Sequence, residues 1–113
     1  AKFKLDNLTA IMDYNHGQLD GALAQIMDIE PVADKWRAFG WHVQEVDGHD
    51  VEKLLEVFEG LPPPESETPT LVIAHTVSGK GIRRIEGDFA WHLGYLKPED
   101  AEEALRELRE GRS

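Results

Sequence analysis

The run Thr70-Leu-Val-Ile-Ala-His-Thr76 constrains this chain more than any other stretch. Leu71 to Ala74 are apolar without a break, and neighbouring side chains on a strand point to opposite faces. Both faces of the segment therefore need cover. A strand with one face in water alternates apolar with polar residues, whereas a strand inside a parallel α/β sheet reads as a continuous apolar run. The flanking residues fit a short strand. Four of the six prolines fall between Leu61 and Pro69, which makes an exposed loop, and Ser78-Gly-Lys-Gly81 supplies a glycine-rich turn just beyond.

The rest of the chain alternates as such a sheet requires. Leu8 to Met12 reads as a second short buried strand. Residues 13–30 read as loop with short turns, punctuated by Gly17 and Gly21, with room for one turn of helix over Ala22 to Met27. Pro31 suits the first turn of a helix in which Val32, Trp36 and Phe39 recur at helical spacing, and Gly40 ends it. Trp41 to Asp47 alternates like a strand. Asp50 is a candidate N-cap for an amphipathic helix marked by Val51, Leu54, Leu55 and Phe58 and closed by Gly60. Residues 82–97 read as irregular. Pro98 opens a last helix with Ala101, Ala104, Leu105 and Leu108 on one face. This order predicts right-handed crossovers and a parallel sheet of about three strands with flanking helices, in a single domain over residues 1–113.

Charge excludes several partners. With 22 acidic and 12 basic residues the net charge is -10, the wrong sign for nucleic acid or for an anionic membrane surface. Any phosphate must be held locally, by backbone amides, a helix start or a metal. There is no cysteine, so no disulfide framework and no thiolate metal site, in keeping with a reducing, cytoplasmic compartment.

Parallel sheets bind ligands beyond the carboxyl ends of their strands. Asp13-Tyr14-Asn15, Asp47-Gly48-His49 and Thr76-Val-Ser-Gly79 all fall at such ends. Asp13, Asn15, Gly17 and Asp20 offer two readings. They are a source of hard oxygen ligands for Mg²⁺, or an Asx-turn that only ends the strand. Ser78 to Gly81 is either an anion cradle or a plain tight turn; it lacks the spacing of a Walker A loop. The five histidines show no metal-binding spacing. His42 and His75 fall within strands and read as structural. His92, beside Trp91 in the irregular segment, is the most suggestive, as a packing or a functional residue. No nucleophile elbow and no dinucleotide fingerprint occurs.

The ordered set of local motifs carries further. Lys4-Leu-Asp-Asn-Leu-Thr-Ala-Ile-Met-Asp-Tyr-Asn15 followed by Gln18-Leu-Asp-Gly21 resembles the second half of the thiamine-diphosphate motif of transketolases. The resemblance continues through Ile29 to Val43, Glu45 to Asp50, Pro69 to Val77, Gly79-Lys-Gly81 and Trp91-His92, so it spans nearly the whole chain. It is greatest to the amino-terminal subunit of split transketolases. The resemblance implies a doubly wound α/β fold, of which this would be the carboxyl-side portion. It implies thiamine diphosphate and Mg²⁺ as cofactors, with the Asn15 side chain and the Gly17 backbone carbonyl on the metal, and His92 as an active-site histidine near the diphosphate and substrate. The implied reaction moves a two-carbon ketol unit between sugar phosphates. Alternatives are a non-catalytic interaction or regulatory remnant, or another thiamine-diphosphate enzyme such as a deoxyxylulose-phosphate synthase or a 2-oxoacid dehydrogenase component.

Some features depart from the family pattern. A Gly-Asp-Gly triplet, whose Asp is the other Mg²⁺ side-chain ligand, is expected a few tens of residues before Asn15, ahead of Ala1. The domain that grips the aminopyrimidine is expected on a partner. His92 is followed by Leu93 and only then by Gly94, where the split enzymes place glycine directly. The expectation is a chain that neither binds the cofactor tightly nor turns over sugars alone. It would work in an oligomer, with a carboxyl-terminal transketolase subunit or the upstream segment covering its apolar edges.

Overall fold

A computed structural model describes residues 1–111. In chain order the elements are β1 (Thr9–Tyr14), β2 (Gly17–Gln18), β3 (Gly21–Ala22), α1 (Leu23–Ile26), α2 (Val32–Ala38), β4 (His42–Asp47), α3 (Val51–Glu59), β5 (Thr70–His75), a 3-10 helix (Phe89–Leu93) and α4 (Pro98–Arg109). They form two compact units. One joins Ala1–Tyr14 to Ile29–Thr76; the other joins Asn15–Asp28 to the described residues from Val77 onward.

The first unit is a three-stranded sheet of order β1-β5-β4, with both pairings parallel. From β1 the chain crosses two places to β4, then returns one place to β5. Two right-handed crossovers in opposite directions must put their helices on opposite faces, and this is a doubly wound arrangement. Central β5 is covered on both sides: Leu71, Val72 and Ile73 are at most 1% exposed, as its unbroken apolar run requires. On one face Val46, Val72 and Ala74 pack under Leu54 and Val57 of α3. Trp36 of α2 meets Trp41 edge to face, ring centres 4.9 Å apart.

Two expectations need correction here. β1 does not stop at Met12. It pairs with β5 through Asp13↔Ala74 and Tyr14↔His75, and Tyr14 is among the most buried residues. The ladder carries the strand past its apolar run, and the Thr76 hydroxyl donates to the Asp13 carboxylate beside it. On α3, Leu54 and Val57 face the core, while Val51, Leu55 and Phe58 are exposed. Asp50 caps the helix as expected, its carboxylate accepting from the Lys53 N–H at 3.1 Å. That bond holds its carboxyl below the usual range.

The second unit contains the β2–β3 antiparallel pair, α1, the 3-10 helix and α4. The 3-10 helix lies in the segment expected to be irregular. On α4 the buried positions are Ala104 and Glu107, while Leu105 and Leu108 are about half exposed, so the expected apolar face is only partly used. Arg83 accounts for the buried charge. Its Nε and terminal nitrogen lie 2.8 and 2.7 Å from one Glu107 oxygen, and its backbone N–H donates to the other at 3.1 Å. The guanidinium holds the Glu107 carboxyl below its ordinary range.

Candidate functional site

Asn15 follows the last residue of β1 and opens the second unit. Its half-buried Oδ1 accepts the Gly17 N–H at 2.9 Å. His16 between them sits in the left-handed region at φ 59°, a conformation that His tolerates better than most residues. The Asx-turn reading is therefore correct. It does not exhaust the side chain, because a carboxamide oxygen has two lone pairs and Gly17 engages one. Gly17 is required for a separate reason. A Cβ added there would lie 2.2 Å from the Phe89 ring.

The 3-10 helix is started by Asp88, whose carboxylate accepts the Ala90 N–H at 3.0 Å. It ends at Gly94, whose N–H donates to the Trp91 carbonyl at 3.0 Å. A Cβ on Gly94 would lie 2.2 Å from the Trp91 ring. The glycine expected directly after His92 thus stands one residue later and closes the turn. Such a helix has about three residues per turn, so Phe89 and His92 share a face. Asn15, Gly17, Gln18, Ser78, Phe89 and His92 line one small cavity of about 60 Å³. Asn15, Gly17 and His92, the site residues expected from the sequence, all line it. Gln18 and Ser78 join them, and so does Phe89. Nothing in the periodicity marks a helix there; an apolar residue three before a candidate site histidine is the available clue.

The sequence matches the family described as transketolase, thiamine diphosphate binding domain, over residues 1–109. This chain belongs to that family. An apulose-4-phosphate transketolase subunit of Phocaeicola vulgatus is 40% identical over 109 residues, covering 96% of this chain and 38% of the relative. Transketolase of Rattus norvegicus is 41% identical over 107 residues, covering 94% of this chain and 16% of its own. A crystal structure of transketolase from Campylobacter jejuni superposes with a TM-score of 0.76 at 31% identity, over 96% of this chain and 16% of that one. The chain therefore spans well under half the length of these proteins.

In this transketolase-family chain the other polar clusters have structural work. The Ser78–Gly81 turn does cradle an anion, but it is the chain's own. Glu86 accepts from the Lys80 ammonium and from the Gly81 N–H, each at 3.2 Å. Gly79 takes φ 71°, and a Cβ added there would lie 2.8 Å from Ile85, so a side chain would be both strained and crowded. Asp47 accepts the His49 N–H at 3.0 Å in a second Asx-turn. His42 lies 3.1 Å from the Gln44 amide, and His75 lies 3.0 Å from Glu45 with Tyr14 edge-on to its ring. Both are strand residues with local partners, as expected. Among the described residues, no group of three or more His, Asp or Glu could hold a metal. No described helix is long and apolar enough to cross a membrane.

Proposed function

We propose that this chain supplies half of the thiamine-diphosphate and Mg²⁺ site of a transketolase acting on sugar phosphates, as part of one diphosphate-binding domain. The observation that carries the reading is the shared cavity of Asn15, Gly17 and His92. The donor set suits Mg²⁺, which takes hard oxygens: the second lone pair of Asn15 Oδ1 and the Gly17 carbonyl. It is also incomplete, since Mg²⁺ ordinarily keeps one or two carboxylates beside phosphate and water.

Each residue has a distinct task. Asn15 and Gly17 would hold the metal with their oxygens, and the metal would supply the positive charge that a diphosphate needs. The His92 imidazole offers a donor nitrogen to a diphosphate oxygen or a substrate hydroxyl, and an acceptor nitrogen on its other side. Thiamine diphosphate, when bound, supplies the electron sink for breaking and re-forming a carbon–carbon bond. With a net charge of -10 the surface attracts no phosphate over distance, so recognition rests on these local groups.

A partner subunit completes the site. The Phocaeicola vulgatus relative is named as one subunit of its enzyme, which supports this, and so do Leu93 and Tyr95, each 81% exposed close to His92 in sequence. A non-catalytic remnant has less support, because it would have no reason to keep all three site residues on one cavity. Cytoplasmic function as a dimer or larger oligomer completes the proposal.

Calorimetric titration of the chain with Mg²⁺ and thiamine diphosphate tests it. Weak, millimolar binding is expected, abolished by Asn15→Ala. Saturable micromolar binding by the chain alone would refute the half-site. Equal heats from wild type and Asn15→Ala would remove Asn15 from the metal.

A further inference from the structure

We propose that Phe89 is a positioning residue for this site, its ring the spacer that sets the Asn15–Gly17 turn and His92 at one fixed separation. The inference rests on the site reading above and goes beyond it, because Phe89 carries no hydrogen-bonding group and acts only through its neighbours.

Two rigid connections meet at the ring. On one side it lies close against the Gly17 α-carbon. A Cβ added to Gly17 would fall 2.2, 2.3 and 2.9 Å from three of its carbons. Gly17 is tied to Asn15 by the 2.9 Å bond from its N–H to Oδ1, so the ring sets the pair as a unit. On the other side Phe89 is the first residue of the 3-10 helix and His92 stands three residues on, directly above it on the same face. The Asp88 cap fixes the start of that helix through the Ala90 N–H. Both ends of the spacer line the same cavity. A residue that only filled space would not need to meet the metal-binding turn and share a helix face with the histidine at once.

The consequence is specific. Shortening the ring leaves Asn15, Gly17 and His92 chemically intact but frees their spacing. Outer-shell groups that hydrogen-bond metal ligands are typically worth about 10- to 100-fold in affinity. Phe89 holds its neighbours by contact alone, so a loss at the lower end, about 10-fold, is expected for Phe89→Ala. Phe89→Tyr keeps the ring and restores wild-type affinity. Phe89→Leu keeps apolar bulk, and with it the fold, but not the flat face; it falls between the two. Gly17→Ala pushes the ring away and damages binding in the wild-type background, while adding little to the damage in the Phe89→Ala background.

The test has two readouts on the full chain. By NMR, the Gly17 Hα resonances of the free protein are expected upfield from the ring current, moving to ordinary values in Phe89→Ala and staying put in Phe89→Tyr. By calorimetry, Mg²⁺ and thiamine diphosphate affinity follows the order wild type and Phe89→Tyr, then Phe89→Leu, then Phe89→Ala. Unchanged affinity in both Phe89→Leu and Phe89→Ala, with wild type still binding, overturns the positioning role alone. Ordinary Gly17 Hα shifts in the wild type overturn the ring contact. Absence of any Asn15-dependent binding in wild type overturns the site reading, and this inference with it.

Discussion

In the unit built on the sheet, the fully buried side chains include Leu71, Val72 and Ile73. In the other unit, a buried carboxylate, Glu107, takes the place of such a core, and Ala104 is its one buried apolar side chain among the described residues. The first unit is shaped by burial of one apolar strand, β5, at the centre of the sheet; on the edge strand β1, Ile11 stays 60% exposed. The second takes its form from side chains bonding to backbone and to each other: Asn15 to the Gly17 N–H, Glu86 to the Gly81 N–H, Asp88 to the Ala90 N–H, and Arg83 to Glu107. All three proposed site residues belong to the second. Apolar burial is non-directional, so it builds a stable frame. Hydrogen bonds and close glycine contacts are directional, so they set where a donor oxygen points. The division of labour follows from that difference.

The contrast can be broken by mutation, beginning with the largest effect. Ile73→Ala removes a side chain that is 1% exposed at the sheet centre and is expected to cost about 2–5 kcal/mol in chemical denaturation. A cost near that of an ordinary surface change, within about 0.5 kcal/mol, would show that the sheet is not the stabilising frame. Glu107→Gln should destabilise the second unit with little effect on β5 amide exchange. Its pH dependence has a fixed sign. Arg83 lowers the folded carboxyl below its usual 4.5, so the pair stabilises the fold above that pH and is lost as pH falls through the lower folded value. Wild type should therefore lose stability below about pH 4.5, and Glu107→Gln should lose part of that acid slope. Parallel slopes would deny the pair its role. Asp50→Ala should have the smallest effect, fraying only the first turn of α3, read as faster exchange at Val51 to Lys53. A global loss rivalling that of Glu107→Gln would mean polar contacts hold both units alike.

The same contrast explains what can be read from the residues alone. β5 is legible because burial on both faces leaves a short, β-branched apolar run, and the proline-rich loop before it and the glycine-rich turn after it leave no room for a helix. The α3 cap is legible because Asp50 stands directly before an amphipathic helix. The far end of β1 is not, since Asp13 and Tyr14 join the strand through the β5 ladder rather than by their own polarity. The 3-10 helix is also hidden. It depends on one Asp88 bond and on Trp91 and Phe89 lying against glycines, and none of these leaves a period. For Asn15, the side chain closes an Asx-turn and keeps a second lone pair, so the turn does not compete with the proposed metal role. For the Ser78–Gly81 turn the residues alone leave an anion cradle and a plain tight turn both open, because its occupant, Glu86, cannot be chosen from spacing.

The central claim, that Asn15, Gly17 and His92 form one cation–diphosphate site, is tested most directly by paramagnetic mapping. Mn²⁺ shares the octahedral oxygen preference of Mg²⁺ and broadens nearby NMR signals. Added with thiamine diphosphate to the isotope-labelled chain, it should broaden Asn15 to Gln18 and His92 first, and that selectivity should vanish in Asn15→Ala. Broadening spread over the acidic face of α4, with Asn15 and His92 left sharp, would contradict the account.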